Sequence, residues 1–328
     1  MHAPVLLSAR QVERLVGELD LRRVLRRVFR ALEANQAVQP PQTLTLLPNG
    51  AGDFITYLGA IAADKVFGAK LSPYLAREGR VTAWTLLMCM ETGEPLLLCE
   101  AGRLTAERTA ATTALAVDLL APPAAKRLTV IGAGPIGEAH IRQCLPVRPW
   151  RDVRVFARSL AQAPARRAAL AALDPKIRVE TELGAAVMDA DVILLCTSSA
   201  VPVLEVSALN RPVLITSVSS NAPLAHEVPP EALHRMDVYC DYRLTTPGAA
   251  GEMVIAAMRY GWSPTRVVAN LPELVAERAV IPDYERHVFF RSIGLGLEDV
   301  AAANAIRQAI QGHAGGHELP AAAHPGCP

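Results

Sequence analysis

A glycine-rich turn that follows a strand pattern and precedes a helix pattern constrains this sequence more than any other feature. Residues 129–140 read TVIGAGPIGEAH. The positions that would face a ligand are Gly132, Gly134, Pro135, Ile136 and Gly137. In a βαβ unit the first glycine permits a tight turn, the second lets the backbone approach a pyrophosphate, and the third lets the helix pack closely on the strand. The helix N-terminus faces the phosphate charge, so the segment predicts a dinucleotide-binding site.

The segments after this turn alternate between apolar strands and helices. Strand patterns occur at VRVFAR, IRVET, DVILLCT, PVLITSV and DVYCDY, and helical patterns near 135–145, 160–173 and 182–189. This alternation is typical of a doubly wound parallel sheet. The apolar spacing further along predicts a last long helix over about 288–311.

Residues 1–120 show a different pattern of apolar residues. Helical spacing occurs over about 21–34 and 104–120. Between these helices lie short apolar runs such as TLTLL, FITYLGAIA, GAKLSPY, VTAWTLLMCM and PLLLCE, separated by Pro, Gly and Thr. Such runs are typical of strands joined by hairpins. The chain therefore begins with a region that mixes helices and antiparallel strands.

Composition excludes several classes of function. The 328 residues carry a net charge of only +1, so we expect neither nucleic acid nor a membrane surface as a partner. No apolar run long enough to span a membrane is free of charges, and the N-terminus lacks a signal-peptide pattern. The six cysteines are scattered without a CxxC pair, which indicates buried, reduced thiols. Together these features predict a cytoplasmic protein.

No metal-ligand spacing is present, so the sequence predicts no metal site. The histidines at positions 140, 226, 234 and 287 lack a motif context, and we expect them in surface or capping roles.

The end of the second strand in the dinucleotide unit bears on cofactor choice. That strand ends in VFARS, with Arg158 and Ser159 where an acidic residue would hold a ribose 2′-hydroxyl. The planar donors of an arginine suit a 2′-phosphate, which favours NADP(H). NAD(H) is also possible, because an arginine can stack on adenine instead.

Two later strand ends are predicted to face the cofactor as well. Ligands of such sheets bind at the carboxyl ends of the strands. This rule selects Thr197 and Ser198 in CTSS, and Val218 and Ser219 in SVSSN. Ordinary polar loop ends remain an alternative for each serine.

Two cations in residues 1–120 could bind a carboxylate substrate. Lys70 lies in the apolar run FGAKLSPY, and Arg108 lies at the start of the helix before the glycine-rich turn. Arginine can grip a carboxylate in a bidentate manner, and lysine can serve as both counter-ion and proton donor. An exposed lysine and an ion pair at a helix start would explain the same residues.

Several motifs in order resemble the ornithine cyclodeaminase/μ-crystallin family. They are GAK, the TGEPL hairpin, LTAERTAATTALA, IGAGPIGEAH and, near the C-terminus, VFFRSIGLGLEDVAAANAI. The resemblance covers nearly the whole chain and implies an α/β fold in which a Rossmann doubly wound sheet is inserted into a smaller α+β domain. Residues 1–120 plus 300–328 would form this substrate-binding and dimerisation domain, and residues 121–299 the NAD(P)-binding domain. A homodimer is implied.

The resemblance also assigns roles to individual residues. Lys70 matches the active-site lysine of the family, and Arg108 matches the arginine that holds the substrate carboxylate. The segment around Arg108 would also approach the cofactor through Thr109 and Thr113. Asp299 lies in the closing motif, where it could approach the active site or lie on a helix surface.

Two positions depart from the family pattern. Gln42 stands where many members have an arginine, and it would lie at the substrate. Asn221 stands where the cyclodeaminases carry an aspartate, and a neutral amide cannot act as a general base. Asn221 would instead orient the substrate or a water molecule by hydrogen bonding.

These departures favour a reductase within the family. The sequence predicts NAD(P)H-dependent reduction of a cyclic ketimine acid, Δ1-pyrroline-2-carboxylate or Δ1-piperideine-2-carboxylate, to L-proline or L-pipecolate. Lys70 and Arg108 would hold the carboxylate, and Lys70 would support protonation of the imine. The alternatives are an ornithine cyclodeaminase, an amino-acid dehydrogenase that releases ammonia, and a non-catalytic NADPH-binding protein like μ-crystallin.

Overall fold

The computed structural model describes residues 4–218 and 224–314, and the chain divides into two compact units. The first comprises Met1–Arg108 and Leu295–Pro328, and the second comprises Thr109–Gly294. The first unit is thus built from both ends of the chain and the second from its middle. The domain boundaries expected from the sequence, at 120/121 and 299/300, stay a prediction.

Strands and helices alternate along the described part of the chain. The strands are β1 Val5–Leu7, β2 Ala37–Val38, β3 Thr43–Leu46, β4 Gly52–Ile61, β5 Val66–Leu75, β6 Arg80–Val81, β7 Trp84–Cys89, β8 Pro95–Glu100, β9 Arg127–Ile131, β10 Asp152–Phe156, β11 Ile177–Glu180, β12 Val192–Leu195, β13 Leu214–Ser217, β14 Met236–Cys240, β15 Val267–Asn270 and β16 His287–Arg291. The helices are α1 Ala9–Val16, α2 Leu21–Glu33, α3 Gly102–Leu120, α4 Pro135–Cys144, α5 Pro164–Ala171, α6 Leu183–Val187, α7 Thr246–Ala249, α8 Gly251–Tyr260, α9 Leu271–Val275 and α10 Gly296–Ala314. Within these ranges no helix combines the length and the apolar character needed to cross a membrane.

The sheet of the first unit is largely antiparallel and has the strand order β1-β8-β7-β5-β4-β2, with β3 paired to β4 and β6 to β5. Only the β1–β8 pairing is parallel among the described strands of this sheet. Its registers place Tyr57, Lys70, Thr85 and Cys99 side by side in one row across four strands. Because paired residues share a face of the sheet, all four side chains point to the same side.

Helix α10 packs on this face, against β4 and β5. The approach is close because both partners carry glycine at the crossing. A Cβ on Gly59 would lie 2.6 Å from Cα of Leu297, and one on Gly296 would lie 2.3 Å from the carbonyl oxygen of Leu58. The crossing therefore brings the first turn of α10 directly over the middle of the sheet.

The sheet of the second unit is entirely parallel in its described strands and has the order β11-β10-β9-β12-β13-β16-β14-β15. From β9 the chain first builds outward through β10 and β11, and then returns to add β12 on the other side of β9. This reversal next to β9 is the switch point at which doubly wound sheets bind dinucleotides. The predicted α/β class and Rossmann-type sheet are confirmed.

The predicted helix over 288–311 is wrong in its first part. Residues His287–Arg291 form β16, which lies between β13 and β14, and the helix begins only at Gly296. Val288, Phe289 and Phe290 are fully buried there. A strand covered on both faces reads as a continuous apolar run, which periodicity alone cannot distinguish from a helix.

Candidate functional site

A buried cluster of two cations and two carboxylates lies in the first unit. Nε of Arg108 donates to Oδ1 of Asp299 at 2.8 Å, and its Nη1 donates to Oε2 of Glu298 at 2.7 Å. Nζ of Lys70 lies 3.0 Å from Oδ2 of Asp299. All four residues are at most 2% exposed. The structure thus brings Lys70 and Arg108 together, although they lie 38 positions apart (108 − 70).

Three elements position this cluster. Lys70 sits in the middle of β5, Arg108 in the second turn of α3, and Glu298 and Asp299 in the first turn of α10. Carboxylates are favoured in the first turn of a helix because the helix dipole is positive there. The close packing of α10 on β4 then carries these two carboxylates to the cations on the sheet.

Burial and neighbouring charges oppose each other at Lys70. Burial is the largest effect and disfavours the ammonium form, the carboxylate of Asp299 favours it, and the guanidinium of Arg108 disfavours it again. The result is a pKa lowered to about 8. The ammonium group also lies 4.1 Å from the ring centre of Tyr57 and 3.4 Å from Oγ1 of Thr105. A lysine with this pKa can hold or release a proton near neutral pH.

Arg108 and Tyr57 keep fixed protonation states. Burial opposes the charge of Arg108, but the carboxylates of Asp299 and Glu298 more than offset it and raise its pKa. Burial raises the pKa of Tyr57, so its phenol stays neutral. With Lys70 protonated, two positive charges face two negative charges and the cluster is electrically neutral.

Among the buried polar side-chain atoms of the same unit that have no hydrogen-bond partner in the described residues are Oε1 of Gln42 and Oγ1 of Thr85. Thr85 pairs with Lys70 across the sheet, and Gln42 directly precedes β3, which pairs with β4. Orphaned buried polar atoms are rare in folded proteins, and a bound ligand can supply the missing partner. The predicted substrate residue Gln42 therefore presents an unused acceptor.

The glycine-rich turn of the second unit has the local geometry that a dinucleotide phosphate requires. Gly132 has φ +123°, and a Cβ on Gly137 would lie 2.0 Å from the carbonyl oxygen of Gly132. Gly134 is the N-cap of α4, and a Cβ there would meet nothing within 4 Å. Gly134 and Pro135 are exposed at the start of the helix. Two glycines thus form the turn, and the third leaves an open approach to the helix N-terminus, as a bound pyrophosphate needs.

A buried carboxylate accepts hydrogen bonds at the carboxyl ends of β12 and β13. Oε1 of Glu227 accepts from the backbone N–H and the hydroxyl of Thr197 at 2.8 and 2.7 Å, and its Oε2 accepts from the hydroxyl of Ser217 at 2.7 Å. Glu227 is fully buried. It therefore fixes the carboxyl ends of β12 and β13, next to Ser198, which is exposed, and Val218, which is half-buried.

The predicted cofactor residues at the end of β10 are open to solvent. Arg158 and Ser159 begin a 3-10 helix over Arg158–Gln162, directly after the strand. Both are exposed, and the guanidinium of Arg158 has no hydrogen-bond or ion-pair partner in the described part of the chain. It is free to meet an anionic group.

Helix α3 supplies a buried hydrogen-bonded contact to α4. Nε2 of His140 lies 3.0 Å from Oγ1 of Thr113, and Nδ1 of His140 lies 2.7 Å from the carbonyl oxygen of Ile136. The hydroxyl of Thr113 also donates to the carbonyl oxygen of Thr109. The expectation that His140 has a surface or capping role is wrong, because the side chain is fully buried. It ties the helix that follows the glycine-rich turn to α3.

Two predicted site residues, Ser219 and Asn221, lie outside the described residues. The remaining site assignments stay predictions, although the structure gives each its surroundings. Among the described residues, no group of three or more His, Cys, Asp or Glu side chains is arranged to hold a metal ion.

Sequence reasoning missed Tyr57, Glu227 and Glu298. Glu298 and Asp299 stand adjacent in the closing motif, and a pair of acids next to an apolar helix face is a usable signal for a buried partner of two cations. Tyr57 and Glu227 had no such signal. Their roles depend on strand register and on a strand end that only the folded chain brings near.

Comparison with known proteins identifies the family of this chain. The family model of the ornithine cyclodeaminase/mu-crystallin family matches residues 3–314. This chain belongs to that family. It is 53% identical to the NAD(P)H-dependent anabolic L-arginine dehydrogenase of Pseudomonas aeruginosa over 305 residues, which cover 92% of this chain and 96% of the relative.

Two further proteins are similar to this chain in sequence or in fold. The chain is 25% identical to the Δ1-pyrroline-2-carboxylate reductase of Colwellia psychrerythraea over 224 residues, covering 67% of this chain and 71% of the relative. The solved structure of the Thermococcus litoralis Δ1-pyrroline-2-carboxylate reductase with NADH and L-proline has a TM-score of 0.86 at 22% identity and covers 94% of this chain and 98% of that chain. The family thus includes NAD(P)H-dependent dehydrogenases and reductases, and the predicted family is confirmed.

Proposed function

We propose that this protein is an NAD(P)H-dependent dehydrogenase of L-arginine. In the reductive direction, 2-oxo-5-guanidinopentanoate and ammonia condense to the 2-imino acid with loss of water. Transfer of a hydride and a proton to the C=N bond then yields L-arginine and NAD(P)⁺. The observation that carries this proposal is the 53% identity with an L-arginine dehydrogenase over nearly the full length of both chains.

The buried cluster of the first unit supports amino-acid chemistry. Arg108 keeps its charge and offers several N–H donors, which suits a substrate carboxylate. Lys70, with a pKa of about 8, can carry a proton near neutral pH and release it to an imine nitrogen. Asp299 contacts both cations and would keep each side chain in place.

Gln42 supports an imine or amine substrate. Its buried Oε1 can accept a hydrogen bond but cannot donate one, and the N–H of an imino or amino group would satisfy it. Asn221 remains our candidate for orienting the substrate or a water molecule, as the sequence predicts.

The second unit would hold the dinucleotide, which supplies the hydride when bound. The turn Gly132–Gly137 and the start of α4 suit the pyrophosphate. We propose that Thr109, Thr113, Thr197, Ser198, Val218 and Ser219 also line this cofactor site. The free guanidinium of Arg158 favours NADP(H), because it can pair with a 2′-phosphate.

Reduction of a cyclic ketimine is the second candidate function. Δ1-Pyrroline-2-carboxylate contains the same group, a C=N bond next to a carboxylate, and the chain is 25% identical to a reductase of that compound. The same residues would act on both substrates. The two candidates differ in whether ammonia takes part and whether a guanidinium must be bound.

A steady-state assay separates the candidates. Purified protein is given NADPH or NADH with 2-oxo-5-guanidinopentanoate and ammonia, with Δ1-pyrroline-2-carboxylate alone, or with Δ1-piperideine-2-carboxylate alone. We expect the highest kcat/KM with the guanidino acid, dependence on ammonia, and L-arginine as the product. Equal or faster turnover of a cyclic imine without ammonia would favour the second candidate. No oxidation of either cofactor with any of the three would contradict both.

We also propose that the protein is a homodimer that associates through the outer sheet face of the first unit. This face is defined by Leu58, Phe67, Leu71, Trp84 and Leu86, which occupy neighbouring positions on β4, β5 and β7 and are 38–47% exposed. A contiguous apolar patch of this kind marks an interaction surface. A second copy fits it because an identical flat apolar face is self-complementary under a two-fold axis.

Analytical ultracentrifugation tests the dimer. The wild type should sediment as a dimer, and the double variant Leu71→Arg, Trp84→Glu should sediment as a monomer with its circular dichroism unchanged. The variant Met258→Glu, which places a charge at an exposed apolar residue of α8, is the matched control and should remain dimeric. A monomeric wild type would contradict the proposal.

A cytoplasmic location is proposed on the state of the cysteines. Among the described residues, Cys89, Cys99, Cys196 and Cys240 form no disulfide, and all but Cys89 are buried. Unpaired thiols are typical of reducing compartments.

A further inference from the structure

We propose that Asp53, backed by Tyr74, binds the guanidinium group of the substrate and selects arginine over amino acids without a cationic side chain. This inference rests on the proposed function, whose substrate carries a guanidinium. Asp53 is the second residue of β4, and Tyr74 is its direct partner on β5. A carboxylate beside an aromatic ring is the combination that a guanidinium prefers, because it can bond to the first and stack on the second.

Strand register places this pair on the same face of the sheet as Lys70. Lys70 and Tyr74 are four residues apart on β5, and Asp53 and Tyr57 are four residues apart on β4, so all four side chains point to one side. Four residues of strand span about 13 Å. An extended arginine places its guanidinium about 7 Å from its carboxylate at ordinary bond lengths. The side chains of the residues at the two ends of this span, Lys70 and Asp53 among them, bridge the remaining distance to the substrate.

The charges on this face leave Asp53 uncompensated. Lys70 and Arg108 are neutralised by Glu298 and Asp299. Asp53 has neither a hydrogen bond nor an ion pair with any described residue. Arg80, the nearest cation along the strands, pairs with Leu75 and so belongs to the opposite face. A substrate that carries a cation at its side-chain end would supply the counter-charge that Asp53 lacks among the described residues.

The surroundings of Asp53 are both open and rigid. Its partner on β3, Leu46, is 75% exposed, and Tyr74 is 40% exposed, so a ligand can reach the carboxylate. Gly52, the residue before it, has φ +132°, and a Cβ there would lie 1.9 Å from the carbonyl oxygen of Tyr74. Only glycine fits this position, and it brings the backbone of Asp53 close against Tyr74.

The test compares Asp53→Asn with Glu78→Gln, which removes the same charge from the neighbouring β5–β6 hairpin but lies outside the pair. Each protein is assayed with ammonia and NADPH on 2-oxo-5-guanidinopentanoate and on 2-oxohexanoate, which lacks the guanidinium. Asp53→Asn should lose about 10- to 100-fold in kcat/KM for the guanidino acid, mainly through KM, as expected for a lost charged hydrogen bond. It should keep wild-type kcat/KM for 2-oxohexanoate. Tyr74→Leu should show a smaller loss of the same selectivity, and Glu78→Gln should show none.

Two results would overturn the inference. One is unchanged kcat/KM of Asp53→Asn for the guanidino acid. The other is an equal loss on both substrates, which would indicate a general structural role. If the wild type turns over neither substrate, the proposed function is wrong, and calorimetry then tests the inference separately. In that case Asp53→Asn, and not Glu78→Gln, should weaken the binding of L-arginine to the cofactor-loaded protein, and equal binding by both variants would overturn it.

Discussion

The candidate ligand sites of the two units are formed in different ways. In the second unit the nucleotide turn is local, since Gly132, Gly134 and Gly137 act through backbone geometry and through the absence of side chains. In the first unit the candidate substrate site is assembled from charged side chains on β5, α3 and α10, and Arg108 and Asp299 are 191 positions apart. One site is a property of a short segment, and the other is a property of the folded unit.

This difference predicts how closely stability and function are coupled in each unit. A buried charge whose partner is removed destabilises the fold strongly, so the cluster around Arg108 cannot be altered without a structural cost. A Cβ on Gly134, in contrast, would meet nothing within 4 Å, so we expect this position to affect ligand binding and not the stability of the fold. The following variants test this contrast, from the largest expected effect to the smallest.

Arg108→Met should have the largest effect, because it leaves Glu298 and Asp299 buried with one cation fewer. We expect a loss of about 3–5 kcal/mol in the free energy of unfolding, measured by urea denaturation. Glu91→Gln breaks the exposed ion pair with Lys65 in the same unit and should leave the free energy of unfolding close to that of the wild type. Similar losses in the two variants would contradict the coupling of site and fold in the first unit.

Two alanine substitutions in one turn should separate folding from nucleotide binding. Gly137→Ala forces a Cβ to 2.0 Å from a backbone oxygen, and overpacking of this kind costs about 1–3 kcal/mol of stability. Gly134→Ala should leave stability unchanged but weaken NADPH binding roughly tenfold or more, since a displaced hydrogen bond to a phosphate costs about 1.5–3 kcal/mol. Calorimetric binding and thermal melting measure the two effects. A Gly134→Ala variant that binds NADPH as tightly as the wild type would indicate that the pyrophosphate lies elsewhere.

Lys70 should impose a pH dependence on both stability and activity. Its folded pKa is about 8, below its ordinary value of about 10.4, so between these two pH values the unfolded chain binds more protons. The contribution of Lys70 to the free energy of unfolding should therefore rise with pH across that window, and Lys70→Met should lack this rise.

The activity follows the protonated form of the same residue. The wild type should lose activity in the reductive direction as pH rises through about 8. Lys70→Arg, whose side chain does not titrate in this range, should not show this loss. The ratio of wild-type to Lys70→Arg kcat/KM at each pH removes the titration of ammonia and substrate, and a ratio independent of pH would refute the assignment.

Arg158→Ala should have the smallest effect, because the side chain is exposed and supports no other residue in the described structure. We expect kcat/KM for NADPH to fall about three- to tenfold, and kcat/KM for NADH to stay within a factor of two, since only NADPH carries the 2′-phosphate. Lys176→Ala, at an exposed cation of the same unit outside the turn, is the control. Equal losses in kcat/KM with NADPH and NADH would show that Arg158 does not discriminate between the two cofactors.

Local patterns were sufficient for much of the second unit. The glycine spacing predicted the turn at 132–137, and apolar runs predicted β9, β10 and β12–β14 as parallel strands. The same reasoning failed at β16, because Val288–Phe290 is apolar on both faces and its pairing with β13 and β14 depends on chain segments far away. It also failed at His140, whose burial depends on a partner in α3.

The sequence by itself determined that this chain forms a nucleotide-binding turn of the Rossmann type and belongs with ornithine cyclodeaminase/mu-crystallin proteins. Both conclusions depend on short motifs, the first on one turn and the second on several motifs in order, and within each motif backbone stereochemistry and side-chain period act directly. Only the tertiary structure decided that Lys70 and Arg108 share Asp299, that Lys70 has a lowered pKa, and that Asp53 faces the same side of the sheet without a partner among the described residues. Charge compensation and burial depend on distances between segments that are remote in sequence, and the folded chain alone sets those distances.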